Sequence, residues 1–324
     1  MSTADPAPRI QLLGRDNGAG LSRDLALLAD ALHEAGAAVD AHGLPHRGRI
    51  AENLTRLRSA FGAPRYDLNL MLERIRPEFT RAARRNVLVP NPEYFRAKDR
   101  AALRGIDEVW VKTRHAVPLF EALGARVRYI GFTSPDRLDR RVPRRHAFFH
   151  GPGRSGNKGT AALVALWAKH PHWPELVVAW RRKRVEPSAL PANVRLLRAH
   201  LDDESYRRLQ NEHRFHLCPS QTEGYGHYLV EAMSCGAVAV TLDAPPMNEL
   251  VTPERGVLAA ARPVGTQDLA TLYGWDEGAM RAAIERCIAM GTDESERLSV
   301  AARAWYEANR DAFPVRLVEA LRDR

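Results

Sequence analysis

Short apolar runs alternate with longer stretches in which apolar residues recur every three or four positions, from one end of the chain to the other. Arg9–Leu13 is the first run. After Gly14–Gly20, Leu21–Ala35 sets Leu25, Leu28, Ala29 and Leu32 on one helical face, and Gly36 is a stop signal. Ala38–Ala41 predicts a second strand, and Asp67–Leu72, Asn86–Val89, Asp107–Lys112 and Arg126–Gly131 predict four more. Around Pro135–Arg145 the rhythm gives way to a Pro- and Arg-rich stretch, read as a connection between domains. Beyond it the series restarts. Strands are predicted at Ala147–His150, Leu176–Trp180, Val194–Leu197, His216–Pro219, Val238–Leu242 and Val257–Ala260. Helices are predicted at Gly159–Lys169, Asp203–Glu212 and Tyr228–Ser234, and Glu277–Arg324 reads as helical with a break at Pro314. Alternation of this kind builds parallel βαβ units. The expected fold class is therefore α/β, with two Rossmann-like domains facing a cleft: residues 1–140, then 141–303, then a terminal helix over 304–324.

Composition changes this picture little. The 324 residues suit about two domains. With 45% apolar and 27% charged residues the chain is of ordinary globular type. No apolar run reaches the ~18–20 residues of a membrane span. Met1–Ile10 lacks the apolar core of a secretory signal, so a cytoplasmic protein is expected. Cys218, Cys235 and Cys287 show no metal-ligand spacing. Charge says more. The net charge is +9, nearly all of it from Arg, with short runs at Arg140–Arg145 and Arg181–Arg184. No RNA-binding aromatic motif, zinc-finger spacing or basic heptad accompanies it, so no nucleic-acid partner is expected. Coding bias toward Arg explains the surplus as well as function does. The functional alternatives are an anionic substrate and loose association with an anionic membrane surface.

Ligands of open parallel sheets bind beyond the carboxyl ends of the strands. That rule selects Asn17–Gly20, Glu73-Arg74, Asn91–Tyr94 and Thr113–His115 in the first half, and Gly151–Lys158, Ser220–His227 and Asp243–Glu249 in the second. The loop Gly151-Pro-Gly153-Arg154-Ser-Gly156-Asn-Lys158-Gly-Thr160 follows a strand and opens a helix, a setting for phosphate. It supports three readings: a dinucleotide fingerprint, a Walker A loop interrupted by Asn157, or a cationic pair, Arg154 and Lys158, that neutralises a diphosphate. A plain strand-to-helix turn is the fourth. Taken alone the loop does not decide.

The segment Cys218-Pro-Ser-Gln-Thr-Glu223-Gly-Tyr-Gly-His-Tyr-Leu-Val-Glu231-Ala-Met-Ser-Cys-Gly236 narrows the choice. Glu223 lies in a Gly-rich loop and Glu231 on the helix that the loop begins. Eight helical residues rise about 12 Å, comparable to a sugar diphosphate plus ribose. The amides of Gly224–His227 and the helix dipole favour a phosphate between the two glutamates. Each carboxylate should then accept hydrogen bonds from hydroxyls.

Glu223 and Glu231 with the intervening Gly-Tyr-Gly, followed by Glu-Ala-Met-Ser-Cys-Gly, resemble the E-x7-E signature of retaining glycosyltransferases of the GT-B fold, of the group 1, family-4-like type. Gly153-Arg154 and Lys158-Gly159 resemble that class's Gly-Arg…Lys-Gly loop, and Asn248-Glu249-Leu250-Val251 its following Glu-Val segment. The specific likeness covers about Phe148–Val251; the first 140 residues match in pattern only. The resemblance implies transfer of a sugar from a UDP- or GDP-linked donor to an acceptor hydroxyl, with retention and without a metal or other cofactor. It implies that Arg154 and Lys158 bind the diphosphate, that Glu223 holds hydroxyls of the transferred sugar, and that Glu231 holds the ribose diol. Gly153 belongs to the phosphate loop, Gly224, Tyr225 and Gly226 present amides, and His200 and Leu201 receive the base. Gly18 and Gly20 sit where the class has a Gly-rich turn, and the terminal helix crosses back to the first domain.

Two positions depart from the class. His227 stands where an aliphatic residue is common; it contacts phosphate or acceptor, or simply packs. The strand Asp67–Leu72 ends in Glu73-Arg74 with no His, so Glu73 either fills that role or pairs with an Arg. Asn91, Glu93, Lys112, Thr113 and His115 are acceptor-side candidates by loop position alone. The acceptor itself, whether glycan, lipid-linked or a small molecule, is not encoded in the matched half. Surface polysaccharide or lipopolysaccharide assembly is expected by analogy with the class. A non-catalytic sugar-nucleotide-binding module, or an epimerase or phosphorylase of the same fold, are the alternatives.

Overall fold

The structure, a computed structural model, describes residues 7–15, 18, 20–43, 63–153, 155–180 and 190–322. The strand series splits into two sheets, each in its own compact unit. Unit 1 takes Met1–Thr133 with Gln267–Ala270 and Arg310–Arg324; unit 2 takes Ser134–Thr266 with Thr271–Asn309.

Six strands form the sheet of unit 1: β1 (Arg9–Gly14), β2 (Ala38–Gly43), β3 (Tyr66–Leu72), β4 (Ala83–Val89), β5 (Glu108–Val111) and β6 (Val127–Tyr129). Their order is β2-β1-β3-β4-β5-β6 and every pairing is parallel. Leu68–Leu72, Val87–Val89 and Val109–Val111 are apolar runs, apart from Asn69, because the middle of a parallel sheet is covered on both faces. Helix α1 (Gly20–Glu34) buries Leu28 and Leu32 against it, as the spacing predicts, but with Leu21 and Ala31 beside them, while Leu25 and Ala29 are only half-buried. Between β3 and β5 the chain makes short 3-10 turns, among them Pro77–Ala82 and Pro92–Tyr94. Proline opens both turns. A short helix α2 (Ala116–Glu121) follows β5.

Seven strands form the sheet of unit 2, in the order β13-β12-β11-β10-β7-β8-β9. They are β7 (Arg145–His150), β8 (Leu176–Ala179), β9 (Val194–Leu197), β10 (His213–Cys218), β11 (Val238–Asp243), β12 (Gly256–Gln267) and β13 (Ala270–Trp275). The helices are α3 (Thr160–Ala168), α4 (Asp203–Glu212), α5 (His227–Ser234), α6 (Met247–Leu250), α7 (Glu277–Ala289) and α8 (Thr292–Arg322). Phe148 of β7 stacks on Phe215 of β10 at 5.0 Å and meets Trp167 of α3 edge-on at 5.3 Å. That aromatic cluster fixes the two central strands side by side and aims their carboxyl ends together.

Three expectations are corrected. The short strand at Val257–Ala260 is the start of the twelve-residue β12, which turns through Asp268 (φ 53°) into β13. A two-residue turn makes this pair antiparallel. Its outer half is exposed, so no apolar run announces it. The stretch Pro135–Arg145 is bonded into unit 2: Arg137 donates to Gln210 Oε1 (2.9 Å) and Asp203 (2.8 Å), and Asp139 N to Asn211 Oδ1 (2.8 Å). Pro314 lies inside α8 without ending it. Phe313, Leu317 and Ala320 are buried on either side, and that burial outweighs one lost backbone hydrogen bond.

Candidate active site

β7 and β10 are parallel neighbours, with Phe149 opposite His216. The loops that leave them, Gly151–Gly159 and Pro219–Gly226, therefore start together. Each ends on a left-handed glycine that begins a helix: Gly159 (φ 67°) before α3 and Gly226 (φ 99°) before α5. A Cβ at Gly159 would lie 2.9 Å from Pro219 O, so that position needs glycine for space as well as for its backbone angle, while at Gly226 the left-handed angle makes the demand. The amide of Gln221 donates to Asn157 O (2.8 Å), joining loop to loop, and Tyr273 N of β13 donates to Gln221 O (2.8 Å).

This stitching brings Lys158 and Glu223 into an ion pair. The Lys158 ammonium also sits 4.0 Å over the ring of Tyr228. Ser220 Oγ donates to Glu223 Oε1 and hydrogen-bonds the Tyr228 hydroxyl. Burial, with Cys218 and Glu223 nearby, pushes the Tyr228 phenol well above its ordinary pKa, so it stays protonated. Behind the loop, fully buried His150 donates Nδ1–H to Leu217 O (2.7 Å), which leaves Nε2 to accept from Thr160 Oγ1 (2.8 Å). Burial depresses its pKa to about 4, and the Lys158 charge adds to that. His150 is thus a neutral bracket between β7, β10 and the first residue of α3.

Glu231, one turn and more along α5, is 3% exposed and accepts from Gln210 Nε2 (2.8 Å). Gln210 is oriented in turn by Arg137 Nε, which donates to its Oε1 (2.9 Å). The far end of α5 is held by two guanidinium groups: Arg144 donates to Gly236 O (2.6 Å) and Cys235 O, and Arg303 to Ser234 O (2.6 Å). The helix is eight residues long. Its amino end follows directly on the turn Gly224–Gly226, and a helix amino terminus favours an anion. His227 shares a hydrogen with Ser134 Oγ (2.7 Å) and meets Tyr225 edge-on at 5.4 Å. Asn309 Nδ2 donates to the Tyr225 hydroxyl (3.2 Å).

The other predicted residues lie as follows. Gly153 (φ 66°) is exposed with open space around its Cβ position. Arg154 lies outside the described residues. His200 is exposed and Leu201 half-buried, just ahead of the Asp202 cap of α4. In unit 1, Gly18 N donates to Ser22 Oγ (2.7 Å) and Gly20 opens α1 with nothing near its Cβ position. Glu73 is left-handed (φ 62°), donates its amide to Val89 O (2.8 Å), and lies 3.9 Å from Arg74. Asn91 accepts from Lys112 Nζ (2.9 Å), while Lys112 itself is buried in an ion pair with Asp24. Glu93 is buried and its carbonyl accepts from Gln267 (2.9 Å); Thr113 is buried; His115 is half-buried ahead of α2. Tyr228, Gln210, Arg137 and His150 were not singled out by the sequence, and Ser220 only opened a selected loop without a role of its own, since each acts through a neighbour that only the fold supplies. Among the described residues, no group of three or more His, Cys, Asp or Glu is placed to hold a metal ion. No described helix is long and apolar enough to cross a membrane.

Residues 180–269, which carry both glutamates, match the model of one family. That family is the glycosyl transferases group 1. No curated protein matches the chain in sequence. Solved structures match it over almost its whole length. A glycosyltransferase from Rickettsia africae gives a TM-score of 0.72 at 13% identity, covering 99% of this chain and 100% of that one. A sucrose-phosphate synthase from Thermosynechococcus elongatus gives 0.68 at 16% identity, covering 97% and 98%. Anabaena HepE, solved with UDP and glucose, gives 0.67 at 17% identity, covering 97% and 99%. The fold is that of the GT-B glycosyltransferases. Identities this low speak to fold and not to activity.

Proposed function

We propose that the protein is a retaining glycosyltransferase that moves a hexose from a nucleoside diphosphate sugar to an acceptor hydroxyl. The observation that carries this reading is the meeting of Lys158 and Glu223 from two separate glycine-capped loops, with Glu223 inside the segment that matches the group 1 family. A bare structural ion pair needs neither the amide-rich loop nor the helix start beside it. In this reading Lys158, with Arg154, neutralises the donor's diphosphate, and the α5 amino terminus adds its amides, so no metal is required. Glu223 accepts from hydroxyls of the transferred sugar and Glu231 from the ribose diol; His200 and Leu201 border the base. HepE was solved with UDP-glucose, which favours a UDP-linked donor over a GDP-linked one.

Retention follows if the acceptor oxygen attacks from the face the leaving phosphate departs. The C–O bond to the phosphate breaks, the new C–O bond forms, and the acceptor's proton passes to a phosphate oxygen. Orientation and fixed charge supply the acceleration. Glu73, Asn91, Glu93, Thr113 and His115 are the unit 1 candidates for the acceptor, a glycan or lipid-linked hydroxyl of surface polysaccharide assembly.

A thermal-shift screen of UDP, GDP, ADP, dTDP, NADP and ATP, run in EDTA and repeated with magnesium, tests the reading. A nucleoside diphosphate at 100 times its Kd adds about 2.7 kcal/mol of stability. The expected result is a shift with UDP that Glu223→Gln leaves within about twofold in Kd, while donor turnover falls about 100-fold. A shift confined to NADP or to magnesium-ATP would overturn it. Turnover that survives Glu223→Gln would remove the role given to Glu223.

A further inference from the structure

We infer that Ser220 and Tyr228 are positioning residues for Glu223: a two-hydroxyl relay that keeps this carboxylate in place when Lys158 turns to the donor's diphosphate. The inference rests on the donor reading above and deepens it.

Proton accounting sets the direction of the relay. Glu223 as a carboxylate can only accept, so the single hydroxyl proton of Ser220 goes to its Oε1. Ser220 Oγ then has only lone pairs for Tyr228, and the phenol must donate to it. The chain runs one way, Tyr228 to Ser220 to Glu223, and the raised pKa of the phenol keeps its donor proton in place.

Tyr228 also touches the other half of the pair. Its ring lies under the Lys158 ammonium at 4.0 Å. One side chain thus addresses both charges, the ring the cation and the hydroxyl, through Ser220, the anion. The two contacts differ in what they survive. When a diphosphate draws Lys158 away, Glu223 loses its countercharge and faces a like-charged neighbour. The hydroxyl relay does not involve Lys158, so it persists and stops Glu223 from rotating out. The first turn of α5 makes this possible, because Gly226 starts the helix so that Tyr228, its second residue, meets Ser220 at the mouth of β10.

The test separates ring from hydroxyl. Tyr228→Phe keeps the ring under Lys158 and removes the relay's first donor; Ser220→Ala removes the link to Glu223; Tyr228→Leu removes both ring and hydroxyl. Melting temperature reports folding for each variant. UDP affinity by calorimetry, and kcat and KM for donor turnover, report function. Expected are a kcat about tenfold lower for Tyr228→Phe and about thirtyfold lower for Ser220→Ala, with UDP Kd within about twofold of wild type. Because the hydroxyls act in series, the Phe-Ala double variant should match Ser220→Ala alone. Tyr228→Leu should weaken UDP binding as well. Unchanged kcat in a well-folded Tyr228→Phe, or effects of the two single variants that multiply, would overturn the relay while leaving the donor reading standing. A wild-type protein that binds no nucleoside diphosphate would remove both.

Discussion

Each unit holds a lysine-carboxylate pair at the carboxyl end of its sheet, and the two pairs have opposite surroundings. In unit 1, Lys112 after β5 meets Asp24 of α1, with side-chain exposures of 2% and 4%. Asn91 Oδ1 takes a second ammonium proton at 2.9 Å, and the ring of Phe132 lies 4.9 Å away. In unit 2, Lys158 meets Glu223 with exposures of 12% and 10%, on loops capped by left-handed glycines. The first pair is sealed between elements of regular structure and ties α1 to the strand ends. The second sits on irregular backbone at the start of two helices. The same two functional groups make a rivet in one place and, in the reading proposed above, a ligand-binding pair in the other, with accessibility and the backbone beneath as the difference.

The largest effect should come from breaking the rivet. Lys112→Met leaves the Asp24 carboxylate buried without its cation, and loss of one member of a buried pair costs about 3–5 kcal/mol. Replacing Asp24 by Leu as well should recover most of that in urea unfolding. Lys158→Met should cost less stability than Lys112→Met, because its pair is less deeply buried, while weakening UDP binding more than tenfold. If Lys158→Met were the more destabilising of the two, the distinction between rivet and site would fail.

The floor beneath the second pair gives the next effect. His150 and His216 are buried and neutral, with pKa values pushed down by burial to about 4 and about 3. In the unfolded chain a histidine takes up its proton near pH 6.5. Below that pH the unfolded state binds more protons than the folded one, so stability is full above about 6.5 and falls as the pH drops toward 4. Each histidine contributes on the order of 3 kcal/mol over that window. Urea unfolding at pH 7.5, 6.0 and 5.0 should show the fall, and His150→Gln should reduce its slope by about one proton. A flat profile would mean that both rings are charged in the folded protein.

How much of this was readable beforehand follows from what each residue touches. The strand pattern was legible because parallel sheets write continuous apolar runs, and Val194–Leu197 and Asp203–Glu212 fell at the observed bounds. Glu223, Glu231 and Lys158 were picked out through the likeness of their loops to a family signature, and the fold brings Lys158 and Glu223 together. Ser220 and Tyr228 were given no role, since their meaning lies in a contact across the start of α5. Lys112 carried the same loop-position signal as the acceptor candidates, yet its partner, Asp24, is 88 residues away and buried. The β12–β13 hairpin was missed because its exposed outer half carries no apolar alternation to read.

The smallest effect completes the comparison. Lys169 after α3 pairs with Glu277 at the start of α7 at 2.6 Å, a shorter contact than many, yet the side chains are 56% and 62% exposed. Water screens both charges, and ordering two long side chains offsets what attraction remains, so distance alone overstates the pair. A double-mutant cycle with Lys169→Ala and Glu277→Ala should give a coupling of about 0.2–0.5 kcal/mol that vanishes in 0.5 M salt. Glu277 is also a first-turn acid of α7, so Glu277→Ala alone should cost slightly more than Lys169→Ala, by the helix-dipole contribution. A coupling above about 1 kcal/mol would mean that geometry, rather than accessibility, ranks the three pairs, and the contrast between Lys112 and Lys158 would then need another cause.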